Sequence, residues 1–128
     1  MKITGIEIET IHVTESVDWT FVHINSDKGI RGLGELNPSV RRADELGTLR
    51  QMAETLIGRD PRQIEKLHAL FDPASLDRIG FRALSALDQA FWDILGKSLD
   101  APVHALLGGA FRDEIRLYAN INRATRGD

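Results

Sequence analysis

The stretch Ala83-Leu84-Ser85-Ala86-Leu87-Asp88-Gln89-Ala90-Phe91-Trp92-Asp93-Ile94-Leu95-Gly96-Lys97 sets Leu84, Leu87, Phe91, Ile94 and Leu95 at helical spacing, so one face of a helix is apolar. The pattern predicts a helix over residues 79–99, the longest element of the chain and central to its core. Upstream, Ala43, Leu46, Leu49, Met52, Ala53, Leu56 and Ile57 keep the same spacing until Gly58 stops them, which predicts a second amphipathic helix. Between the two, Asp60-Pro61-Arg62-Gln63 reads as a helix start. Asp60 supplies the capping oxygen, Pro61 is preset for the first turn and Gln63 can reach back, with Ile64, Leu67, His68 and Phe71 continuing the helix. Downstream, Pro102 opens one or two turns through Leu107, ended by Gly108-Gly109.

The front of the chain has a different period. Ile6 and Ile8 alternate and the phase then shifts to Ile11 and Val13, as in a strand with an irregularity near Thr10. Residues 14–19 read as a loop into a second β-rich run, Phe21, Val22, His23 and Ile24. Ser26-Asp27-Lys28-Gly29 then turns the chain into a third strand from Ile30 to Glu35. The fold class is α+β, a three-stranded antiparallel meander followed by a helical bundle. Residues 115–121 alternate once more, with Ile115, Leu117, Ala119 and Ile121 on one side, about 80 residues after the meander. That strand has no obvious neighbour.

A chain of 128 residues suits one domain with a real core. The formal charge of -3 is spread along the chain and offers no cationic footprint, so nucleic acid is not expected as a partner. No apolar run approaches the roughly 20 residues of a membrane span, and the start lacks a signal-peptide core, which points to the cytoplasm and away from membranes. The absence of cysteine excludes disulfides, thiolate catalysis and cysteine-bound zinc. His12, His23, His68 and His104 are scattered without a zinc-binding i, i+4 pair and read as structural. Gly29, Gly32 and Gly34 do not match a dinucleotide fingerprint; in a strand they permit close backbone approach. Asp88 and Asp93 project about 140° apart on a helix and form no carboxylate pair, though Asp93 can bridge to a nearby Arg or Lys.

The helix quoted above, with Ala101-Pro102-Val103 and Leu106-Leu107-Gly108-Gly109 after it, resembles the signature closing the N-terminal capping domain of the enolase superfamily, mandelate racemase and muconate lactonizing enzyme family. Gly32-Leu33-Gly34-Glu35 and Leu56-Ile57-Gly58-Arg59-Asp60-Pro61 agree in order, so the resemblance covers nearly the whole chain. Asp100 departs from the glycine usual in the family, yet Asp tolerates a left-handed conformation. The resemblance implies a capping domain over residues 1–112 and, over residues 113–128, the first strand of a (β/α)8 barrel that is otherwise absent, since such a barrel takes about 250 residues.

Members of that family abstract a proton α to a carboxylate and stabilise the enediolate with Mg²⁺, so the resemblance implies a lyase or isomerase, an acid-sugar dehydratase or racemase above all. Their metal ligands and bases, among them a Lys-x-Lys motif, stand on barrel strands; Lys2, Lys28, Lys66 and Lys97 are never two apart. No catalytic and no metal-binding residue is therefore assigned here, and the 128 residues alone are expected to be inactive. The cap of this family instead contributes two loops that select the substrate's distal group. These correspond to residues 14–19 and 36–41, where Asp18, Trp19, Asn37, Ser39 and Arg41 are the candidate specificity residues for a small carboxylate. Trp19 offers an apolar wall, unless it only packs on the meander, and Asn37, Ser39 and Arg41 offer hydrogen bonds, although Arg41-Arg42 also reads as a solvated pair. A homo-oligomer is expected. The alternatives are a free-standing interaction domain dimerising through an exposed sheet edge, and a cap completed in trans by a barrel chain.

Overall fold

The computed structural model describes residues 1–15, 17–37, 42–72 and 74–118. Strands β1 (Ile3–Thr14), β2 (Val17–Ser26) and β3 (Arg31–Leu36) form an antiparallel sheet in the order β1-β2-β3. Side chains alternate across it, and the pairings Ile6 with Ile24, Ile8 with Val22 and Val22 with Gly34 gather the apolar members and the strand glycines on one face. Gly29, at φ 71°, makes the turn between β2 and β3. The meander is as expected, with two corrections.

Thr10 lies in register opposite Thr20, and the irregularities fall instead between Ile3 and Gly5 and between His12 and Thr14. The apolar phase shift at Ile11 reflects a change of face rather than a bulge. Ile11 pairs with Trp19 on the outer face, and both are exposed. The first loop is also shorter than expected, because Val17, Asp18 and Trp19 already belong to β2.

Four helices follow among the described residues: α1 (Arg42–Leu56), α2 (Ile64–His68), α3 (Arg78–Leu99) and α4 (Val103–Leu106). The Asp77 carboxylate caps α3 by accepting from the Gly80 N–H at 2.8 Å, and the helix ends on Asp100 in the left-handed region at φ 52°. The start of α2 differs from the expected capping box. Asp60 does not cap it; Gln63 occupies the N-cap position without a side-chain bond. Asp60 is taken by a stronger set of donors: the Arg62 guanidinium at 2.7 Å, the Arg62 N–H at 3.0 Å and the Met1 ammonium at 3.7 Å. Beside it, Ile3 and the loop after α1 exchange backbone bonds, Gly58 N–H to Ile3 O and Ile3 N–H to Arg59 O. The end of α1 is thereby latched to the start of β1.

The core lies between the sheet and α3, with Phe91, Leu87 and Ile94 of α3 buried among Ile3, Val22, Ile24, Leu49 and Leu56. Contact is close because Gly32 and Gly34 present no side chain. A Cβ at Gly32 would stand 2.3 Å from Ala90 O, and one at Gly34 would stand 1.9 Å from Ala86 O.

The outer edge of β3 is satisfied by α3. Lys97 Nζ donates to Arg31 O at 2.7 Å, Asp93 accepts from Leu33 N–H at 2.8 Å, and Gln89 accepts from Glu35 N–H at 3.1 Å. The repeats match: four helical residues rise about 6 Å and two strand residues about 6.8 Å, so each turn of α3 meets the next outward-facing pair of backbone groups. Asp93 also holds Lys97 at 2.6 Å, the bridge anticipated from the sequence. These bonds leave little free backbone along β3, where edge-to-edge dimerisation would need it.

At the far end, residues 115–118 form no strand, and Ile115, Leu117 and Tyr118 are 76%, 88% and 86% exposed. The expected strand is thus not formed in its described part. A strand needs a partner, and among the described residues the sheet pairs only β1, β2 and β3. Residues 119–121 of that expectation lie outside the described residues.

Candidate functional site

Strand direction decides where the two expected loops meet. β1 ends, β2 begins and β3 ends at the same side of the sheet, since Thr20 pairs with both Thr10 and Leu36. The helix α3 runs antiparallel to β3, with Ala90 against Gly32 and Ala86 against Gly34, so its first turns arrive at that side too. Asp18, Trp19 and Asn37 therefore share one rim of the domain. Ser39 and Arg41 lie outside the described residues.

Within the rim, Asp18 and Trp19 point to opposite faces, as consecutive strand residues must. Trp19 is 46% exposed and meets Phe21 edge to face, with ring centroids 6.4 Å apart. It combines the two readings, packed along one edge and open along the rest. The Asp18 carboxylate contacts His12 Nδ1, so it is engaged within the hairpin. Asn37 is exposed, and its backbone carbonyl accepts a hydrogen bond from Arg82 Nη2.

Two rim residues escaped the reading of the sequence. Glu45, in the first turn of α1, is only 2% exposed, and its Oε1 lies 2.8 Å from Arg82 Nε. Its Oε2 finds no hydrogen-bond partner among the described residues. Periodicity held a clue: Glu45 stands four residues before Leu49, on the buried stripe that continues through Met52 and Leu56. An acid on an apolar stripe calls for a partner.

The other end of the molecule carries the shifted titration. The Arg62 guanidinium bonded to Asp60 holds that carboxyl down at about 2, against partial burial that pushes it up; the Arg62 N–H and the chain's terminal ammonium reinforce the lowering. This pair belongs to the latch near Met1 and lies far along the strands from the rim.

Among the described residues, no three His, Asp or Glu side chains converge to hold a metal ion. Mg²⁺ requires several oxygen ligands in octahedral array, so the described donors do not fit it and none is assigned to it. A groove between β1 and α1, lined by Ile6, Ile8, Arg50, Ala53, Glu54 and Ile57, lies beside the middle of β1 rather than at the rim.

Residues 5–108 match the family described as mandelate racemase / muconate lactonizing enzyme, N-terminal domain. The chain is 38% identical over 122 residues to a D-galactonate dehydratase of Variovorax paradoxus (strain S110), covering 93% of this chain and 31% of that protein. It is 39% identical over 104 residues to a D-galactonate dehydratase of Klebsiella pneumoniae (strain 342), covering 79% and 27%. The chain thus spans about a third of the length of the curated relatives it matches. Among solved structures, a member of the enolase superfamily from Salmonella Typhimurium superposes with a TM-score of 0.84 at 32% identity, over 92% of this chain and 32% of that one. A dipeptide epimerase from Enterococcus faecalis V583 superposes with a TM-score of 0.73 at 30% identity, over 85% and 34%.

Proposed function

This chain belongs to the mandelate racemase / muconate lactonizing enzyme family of the enolase superfamily, whose N-terminal domain it carries, and on that premise we propose that it is the substrate-selecting cap of an acid-sugar dehydratase. The observation that carries the proposal is the likeness to two D-galactonate dehydratases across most of the chain. The common rim of Asp18, Trp19 and Asn37 supports it. A cap that reads a polyhydroxylated acid needs an apolar wall beside hydrogen-bonding groups, and Trp19 with Asn37 provides both.

In this reading, the α-proton and the β-hydroxyl leave the sugar acid within a separate barrel, which also supplies Mg²⁺ and its ligands. The residues of this chain bind the far end of the substrate and exclude water as the cap closes. The barrel is joined in the same polypeptide or supplied in trans. We propose further that the assembled protein is a homo-oligomer and works in the cytoplasm; no helix among the described residues is long and apolar enough to cross a membrane.

The test is an assay of the polypeptide that joins this domain to its barrel, with Mg²⁺, against D-galactonate and a panel of epimeric aldonates and aldarates. Release of the 2-keto-3-deoxy product from at least one acid sugar is expected. Epimerisation without water loss would move the protein toward the isomerase side of the family, and failure on every acid sugar would remove the proposal.

A further inference from the structure

We infer that Arg82, held by the buried carboxylate of Glu45, is a positioning residue that sets Asn37 for its contact with the hydroxyl groups at the far end of the substrate, an inference that rests on the acid-sugar reading above. The outward backbone groups of β3 at Arg31, Leu33 and Glu35 are met in turn by Lys97, Asp93 and Gln89 of α3. Continued by one step, that repeat places Asn37 opposite Ser85, whose side chain is the shortest of the series. Arg82 takes the step instead, reaching the Asn37 carbonyl with Nη2.

The same guanidinium faces α1 through Nε, 2.8 Å from Glu45 Oε1. The guanidinium thus links α1, by charge contact, to the chain leaving β3, by a hydrogen bond, and a lysine has a single ammonium for both tasks. Stability alone accounts poorly for this arrangement. Burying a carboxylate costs several kcal/mol even after relaxation, and a buried ion pair is often no better than an apolar pair of the same size. Glu45 bears that cost with one oxygen unpartnered among the described residues. What the pair contributes is orientation. With its carbonyl fixed from α3, Asn37 presents its exposed amide from a set base, and a group that reads a hydroxyl discriminates only when held to within about 0.5 Å.

The experiment compares Arg82→Lys, Asn37→Ala and the double variant in the polypeptide that carries this domain with its barrel. Arg82→Lys keeps a cation beside Glu45 and loses the Nη2 bond to the Asn37 carbonyl. KM for the acid sugar is expected to rise roughly tenfold with kcat within about twofold, and the double variant to be no worse than Asn37→Ala alone. An unchanged KM, or effects that simply add, would overturn the inference, and so would a loss of thermal stability with KM intact. If Arg82→Lys does not fold, the near-isosteric Glu45→Gln gives the same readout. Should the parent polypeptide turn over no acid sugar, the dehydratase reading falls while the positioning is still decided in the 128-residue chain. There the carbonyl carbon resonance of Asn37 is expected to move upfield in Arg82→Lys, and an unmoved resonance would overturn it.

Discussion

Gly34 has less room than any other glycine of the sheet. A methyl group there would lie 1.9 Å from a backbone oxygen of α3, which no rotamer change can relieve. Gly34→Ala is therefore expected to destabilise the chain by about 3 kcal/mol, the upper part of the overpacking range. Gly5, with nothing within 4 Å of its would-be Cβ, is the control, and Gly5→Ala is expected to stay within about 0.5 kcal/mol. Urea midpoints of both variants check the contrast. The need for close approach at Gly32 and Gly34 was legible in the sequence, because glycine in a strand has few other uses. Asp60 was misread at the same scale. Its neighbours in sequence suggested a cap, whereas its partners are Arg62 and a terminus brought in by folding. The pair has a pH consequence. The folded pKa is about 2 against an ordinary 3.8, so between these values the unfolded chain binds more protons. The stabilisation is complete above pH 4 and disappears as pH falls toward 2. Asp60→Asn is expected to flatten that part of the stability profile; an unchanged acid limb in the variant would contradict the assignment.

At the scale of elements, the three strands and the two long helices were readable from period alone, since one face of each is buried in a single core. What period could not reveal is how elements face each other. The strip formed by Gln89, Asp93 and Lys97 looks like an ordinary solvated helix face until the strand beside it is known. Strand register, a property of two segments together, creates its function. Asp93→Ala is expected to leave the Leu33 N–H without its partner and to cost about 1–3 kcal/mol. Hydrogen exchange at Leu33 should accelerate while that at Val22, inside the sheet, follows only the global change. Equal acceleration at both would mean that the bond does not guard the edge. The rim was legible by half in the same sense. The expected loops lead to the rim where Trp19 and Asn37 stand, whereas Glu45 and Arg82 went unnoticed because one side chain hides on an apolar stripe and the other looks like surface.

For the whole molecule, the likeness to dehydratases and to a dipeptide epimerase on one scaffold means that the fold alone does not choose the reaction. In the proposed reading, that choice belongs to the barrel. The chain by itself is expected to exchange no α-proton of D-galactonate in deuterated water with Mg²⁺ present, as followed by NMR; measurable exchange would relocate the chemistry into the cap. Ile11 and Leu33, exposed on the outer sheet face, give the proposed assembly a surface to use, and light scattering reports its size. The row of polar side chains along β3 has one more implication. A sheet that offers no vacant seat on that side cannot recruit a stray segment there, so any growth of the sheet by an added strand is confined to the β1 side.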